Sequence, residues 1–182
     1  AIVGFGENSN VVTSVSYGKI TGSTSATDIG VSEALIQMIE NWEGKSSTPY
    51  WDKNGQVWTI GYGHTFTPPW TGPNPMTDQE MEDLLKQDIA PRVTQVKNKF
   101  PGINFKQNQI DALTSFVFNA GAGNLDKSGL TKDIKNGASA DKLKQDFESI
   151  CHGHDGTLLR GLVHRRDAEW AMYCNDSYLS NG

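Results

Sequence analysis

The sequence predicts an α+β fold in which a small β-hairpin lobe is joined by a long helix to a mainly helical lobe, with a cleft between them. Three observations predict it: an apolar stripe of helical period between Ser32 and Gly44, a hairpin signal at Asn54-Gly55, and helical patterns that fill the chain from Thr77 onward. The 182 residues are enough for one sizeable core. With 16 Lys plus Arg against 21 Asp plus Glu, the net charge of -5 argues against a nucleic-acid partner. No apolar run approaches the roughly 20 residues of a membrane helix. The start at Ala1 lacks the residue order of a secretion signal and fits a processed form or a module of a larger protein. Residues 1–30 hold 14 Gly, Ser or Thr and no Leu, so they are expected to form a flexible arm or linker, with residues 31–182 as the folded domain.

The first helix is carried by Leu35, Met38 or Ile39, and Trp42, and it ends at Gly44. Glu43 therefore sits in its last turn, where the negative end of the helix dipole favours the protonated carboxyl. Asn54-Gly55 as a two-residue turn pairs Asp52 with Val57, Trp51 with Trp58 and Tyr50 with Thr59. Alternation then puts Tyr50, Asp52, Val57 and Thr59 on one face, with Trp51 and Trp58 stacked on the other. Asp52 and Thr59 become diagonal neighbours, roughly 7–8 Å apart at the backbone, close enough to hold one water. Thr77 with Glu80 forms a capping box that opens a helix carried by Met81, Leu85, Ile89, Val93, Val96 and Phe100, which Pro91 should kink or interrupt. Further helices are expected from Phe105 to about Asn119, near 128–136, from Ser139 to Cys151 and from Leu158 to Tyr173.

Seven of the 17 aromatic residues lie between Trp42 and Trp70, as a local core or as flat faces for sugar rings. Glycoside hydrolysis needs a protonated carboxyl for the leaving oxygen and a second group that holds water or attacks the sugar. Glu43 can fill the first role, and Asp52 with Thr59 the second. Taken alone, a Glu and an Asp nine residues apart fit solvated surface carboxylates equally well.

The wider string narrows the choice. Glu43-Gly44, Tyr50-x-Asp52-x-x-Gly55 and Thr59-Ile60-Gly61-Tyr62-Gly63-His64-Thr65 together resemble the active-site segment of the phage-type lysozymes, the endolysin muramidases grouped with the lysozyme of T-even phages. Thr77 to Ile89 resembles that family's inter-lobe helix. Ser115-Phe116-Val117-Phe118-Asn119-x-Gly121 resembles its central helix, and Gly161 to Glu169 the closing helix of its endolysin branch. The resemblance spans about residues 33–174. It implies a lysozyme-like fold and hydrolysis of the β-1,4 bond between N-acetylmuramic acid and N-acetylglucosamine in peptidoglycan, probing the wall outside the cytoplasmic membrane as a monomer without metal or organic cofactor. By the same resemblance Glu43 is the general acid, Asp52 orients or activates the attacking water, Thr59 holds it, and Phe118 and Ser128 line the saccharide cleft. Inversion at the anomeric carbon is the usual outcome. The family has one residue fewer between its Asp and Thr, so the hairpin here carries an insertion.

Two polar pairings are expected. On the last helix Arg166 falls where a core residue should be, so it should pair with Glu43 or Glu169, while Arg165, about 100° away, should be more exposed. His64 and Asp88 resemble a family pair that bridges hairpin and long helix, the other reading being a His bonded to a local carbonyl. Two rival functions compete. Cys151, His152, His154 and Asp155, with His64 as a fourth ligand, would make a zinc-dependent amidase; the tryptophans alone would make a non-catalytic wall-binding module. Cys151 and Cys174 are separated by a helix of about 24 Å, too far for a bridge, and are expected as free thiols.

Overall fold

The structure, a computed structural model, describes residues 25–175 apart from His154. It contains seven α-helices and one three-stranded antiparallel sheet among the described residues. Helix α1 (Glu33–Glu43) begins at Ser32, whose hydroxyl accepts from the Leu35 N–H at 3.2 Å. The same hydroxyl donates to Asp111 at 2.6 Å, which ties the start of α1 to the central helix. Leu35, Ile36, Met38, Ile39 and Trp42 give α1 its buried face.

Residues 25–30, expected as the end of a flexible arm, belong instead to the folded body. A 3-10 turn at Thr27–Ile29 leads into α1, Ala26 and Val31 are fully buried, and the Ala26 N–H donates to Glu33 at 3.1 Å. The composition of this stretch concealed two small apolar residues that fit against the core. Residues 1–24 of the expected arm lie outside the described residues.

The sheet comprises β1 (Ser46–Asp52), β2 (Val57–Gly61) and β3 (His64–Phe66), in that order. Tyr50 pairs with Thr59, Trp51 with Trp58 and Asp52 with Val57, the register that the sequence implies. The turn is different. Neither Asn54 nor Gly55 is left-handed; Gln56 is, at φ 51°, and the connection is a four-residue loop over residues 53–56. The Asp52 carboxylate accepts from the Asn54 N–H at 3.0 Å and stabilises this wider turn, so the side chain selected a loop that the dipeptide rule does not describe. Trp51 and Trp58 meet edge to face, with centroids 5.8 Å apart and planes at 68°, rather than stacking in parallel.

The proline-rich stretch is anchored where the Met76 N–H donates to Ser47 O at 2.8 Å. Helix α2 (Asp78–Lys99) opens with both halves of the capping box and continues through Pro91 without interruption. Pro91 is on the exposed side of the helix. Helix α3 (Gln107–Ala120) starts two residues later than expected, and Phe105 packs edge-on against Phe100 at 5.2 Å instead of entering it.

The helix expected near 128–136 is α5 (Leu130–Lys135); a short helix the sequence did not reveal, α4 (Ala122–Ser128), precedes it, and left-handed Gly129 at φ 91° parts the two. Helices α6 (Ala140–Glu148) and α7 (Arg160–Asn175) complete the body. Both cysteines are free thiols.

Two apolar clusters result. The larger unites α1, α2 and α3 with residues of α4 to α7; the smaller joins Ile60 of β2 to Met76, Met81 and Leu84. Tyr62, in the turn between β2 and β3, packs against both. Helix α2 thus belongs to the sheet at its start and to the helical body along the rest of its length.

Candidate active site

Glu43 occupies the last residue of α1, and its side chain is 11% exposed. Its Oε1 accepts from Arg165 Nη1 at 2.9 Å. Its Oε2 faces the turn after β2: a Cβ placed on Gly63 would stand 3.0 Å from that oxygen, and Gly63 has φ 77°. Glycine is therefore required there both for backbone handedness and for space. The two carboxyl oxygens are inequivalent. One accepts from a permanent cation, and the other faces the turn after β2.

Thr59 is buried on the inner face of the hairpin at 2% exposure, and its hydroxyl donates to Val57 O at 3.4 Å. Asp52 is half-buried at the end of β1. Its carboxylate leans toward the turn, with Oδ1 on the Asn54 N–H and Oδ2 beside Gly55. Tyr50 shares the face of Asp52 and Thr59. Burial, then the charges of Asp52 and Glu43, push its hydroxyl pKa up. The sequence placed Tyr50 on this face but gave it no part in the site.

The largest departure from expectation lies behind Glu43. Arg165, expected to be exposed, is fully buried and is the residue that pairs with Glu43. Its guanidinium lies 4.6 Å from the Trp42 ring centroid and within 3.5 Å of Glu169 Oε2. Arg166 is also fully buried, but it serves Glu169 at 2.7 Å and Asn119 at 2.8 Å and does not bond Glu43. Burial pushes the Arg166 pKa down to about 10, with the Glu169 carboxylate opposing the fall.

Ser115 closes the network by donating to Glu169 Oε2 at 2.5 Å. The single apolar stripe drawn through Arg166 was too narrow. Helix α7 buries Leu162, Arg165, Arg166, Ala168, Glu169 and Met172, an arc that takes in both arginines. The spacing Leu162, Arg165, Glu169, Met172 was a legible signal for the second.

His64 Nδ1 lies 2.9 and 3.1 Å from the two carboxylate oxygens of Asp88, a largely buried bridge from β3 to α2. Phe118 is half-buried against the main core. Ser128 is 7% exposed, and backbone groups engage its hydroxyl on both sides: it donates to Leu125 O at 2.8 Å and accepts from the Leu130 N–H at 3.1 Å. That hydroxyl holds the α4–α5 corner.

For the alternative metal centre, Cys151 Sγ donates to Glu148 O at 3.0 Å, Asp155 accepts from the Thr157 N–H, and His64 is engaged by Asp88. His154 lies outside the described residues. Among those described, no three His, Cys, Asp or Glu side chains converge as ligands.

A small antiparallel sheet set against a helical body by one long helix, with carboxylates from both, defines a protein of the lysozyme-like class. The muramidase domain of SpmX from Asticaccaulis excentricus shares this fold, with a TM-score of 0.69 and 28% identity over 80% of this chain and 97% of that one. The phage lysozyme family matches residues 40–169, and the chain belongs to that family, the peptidoglycan-degrading glycoside hydrolases. An endolysin of Acyrthosiphon pisum secondary endosymbiont phage 1 is 34% identical over 147 residues, which is 79% of this chain and 97% of that protein. An endolysin of Bacillus phage PZA is 32% identical over 144 residues; the match spans 79% of this chain and 54% of that longer protein.

Proposed function

We propose that the chain cleaves the β-1,4 bond between N-acetylmuramic acid and N-acetylglucosamine by a single displacement that inverts the anomeric carbon. Glu43 gives the proton on Oε2 to the leaving oxygen while Arg165 holds Oε1. Asp52 takes a proton from a water that the Thr59 hydroxyl positions on the opposite side of the ring. In this arrangement neither carboxylate bonds the sugar, as inversion requires. His64 and Asp88 keep the hairpin fixed on α2, Arg165 keeps the acid oriented, and Phe118 offers an apolar wall to the glycan. No step calls on a metal or an organic cofactor.

The observation that carries this reading is the inequivalence of the two Glu43 oxygens, one on Arg165 and the other against Gly63. The enzyme acts as a monomer on the wall outside the cytoplasmic membrane and has no nucleic-acid partner. None of the described helices is long and apolar enough to cross a membrane. Digestion of purified peptidoglycan, with the new ends identified by mass spectrometry, is expected to give reducing N-acetylmuramic acid. Anhydro ends would mean a lytic transglycosylase, and free stem peptides an amidase. Glu43→Gln is expected to lower the rate at least 100-fold, in line with the ~10²–10⁴-fold worth of a positioned acid, while the protein still folds. Retained activity would remove Glu43 from the role.

A further inference from the structure

The acid is the visible end of a larger buried assembly. Arg165, Arg166 and Glu169 on α7 are all fully buried, and Glu43 of α1 completes two opposed pairs. Glu169 Oε2 contacts both arginines, at 3.5 Å from Arg165 Nε and 3.1 Å from Arg166 Nη2, while its Oε1 lies 2.7 Å from Arg166 Nε. From α3, Ser115 donates to Glu169 and lies within 3.5 Å of Arg165, and the Asn119 amide oxygen takes Arg166. The other titratable groups around it are Cys151, which interacts with Arg166, and Tyr50, which feels Glu43 and Asp52 from the sheet. With Glu43 ionised the two guanidiniums and two carboxylates balance. With Glu43 protonated the cluster carries an unbalanced positive charge among almost fully buried side chains.

We propose that Glu169 is a positioning residue for the acid: it holds Arg165 against Glu43 and, by cancelling one guanidinium charge, sets the pH at which Glu43 gives up its proton. Without that carboxylate, two cations would favour the Glu43 anion and the acid would be lost at lower pH. Without the Arg166 cation, two anions would compete for one guanidinium, and Glu43 would keep its proton to higher pH. A merely structural counter-ion has no such pair of opposite consequences. The proposal rests on the reading of Glu43 as the general acid.

The test measures kcat and KM on soluble glycan fragments across pH for the native chain, Glu169→Gln, Arg166→Met and the double variant. The Glu43 carboxyl carbon is followed by NMR in parallel. Glu169→Gln is expected to move the alkaline limb of kcat down by about one pH unit, a tenfold change in the balance of protonation states, with KM little changed. Arg166→Met is expected to move it up, Glu169→Asp to leave it near the native position, and the double variant to return it there. Should Glu169→Gln fail to fold, the upward movement in Arg166→Met decides, and the charge-balanced double variant supplies the second reading. A rate limb and a Glu43 titration that both stay unmoved in folded variants, or movement in one direction for both substitutions, overturns the proposal. If the Glu43 titration moves while the rate limb does not, the coupling stands and Glu43 is not the acid.

Discussion

At the scale of single residues, the site depends on positions where only one side chain fits. Gly63 has a left-handed backbone and stands within 3.0 Å of Glu43 Oε2 measured from an added Cβ. Gly63→Ala is expected to cost about 1–3 kcal/mol of stability from backbone strain and to reduce activity further than that loss explains, because the methyl displaces the oxygen proposed to deliver the proton. Calorimetry and lysis rates measured on one preparation check this; a variant with native rates would show that Oε2 has room to spare. The placement of Asp52 and Thr59 on paired strands was legible from a short string of residues, since hairpin register follows from turn position and strand alternation. Arg165 lies outside that string: its spacing with Leu162, Glu169 and Met172 marks the buried arc of α7 but does not name its partner Glu43, 122 positions away.

At the scale of elements, two contacts fix the hairpin and α1 to α2. The first is the His64–Asp88 bridge, with both partners largely buried. Asp88→Asn is expected to destabilise the fold by about 1–3 kcal/mol, the range for a buried hydrogen bond to a charged group, and urea midpoints for the two proteins measure it. An unchanged midpoint would mean that the bridge holds nothing.

The second contact lies between Glu40 of α1 and Glu82 of α2. Burial first, then Glu82, push the Glu40 pKa up to about 7, with Lys86 opposing them. The folded state then binds a proton that the unfolded chain has already released, so this group's contribution falls as pH rises from about 4.5 through about 7. Thermal unfolding temperature is expected to decline across that window, and Glu40→Gln is expected to flatten the decline. Equal slopes in the two proteins would contradict the assignment.

Element boundaries show what the sequence withheld. Helix period predicted α1, α2 and α7 because their buried stripes are long. It missed α4, whose seven residues bury only Leu125 and Ser128 and so carry no stripe long enough to show a period. Similarly, Pro91 reads as an interruption in the sequence, yet on an outward face a helix already stabilised by packing on both sides passes through it.

At the scale of the whole molecule, two apolar clusters of unequal size share one helix, and the proposed acid and water site sit on the elements that meet beside it. The net charge of -5 is unevenly distributed. Residues 77–88 hold five acidic side chains and one basic, while residues 89–144 hold nine basic and four acidic. The basic excess therefore falls in the helical body after the first part of α2, where it would favour contact with an anionic wall polymer. Fold class was readable because layer architecture follows from the order of hairpin and helices. The packing of α7, which completes the site, depends on contacts between residues far apart in the chain.

The central claim is that a water held by Asp52 and Thr59 attacks from the face opposite the leaving group protonated by Glu43. The most direct measurement is the anomeric configuration of the first-formed reducing end, read by proton NMR during digestion of β-1,4-linked glycan fragments before mutarotation sets in. The account predicts the α-anomer. Initial release of the β-anomer would contradict it and would require a covalent glycosyl-enzyme or another double displacement.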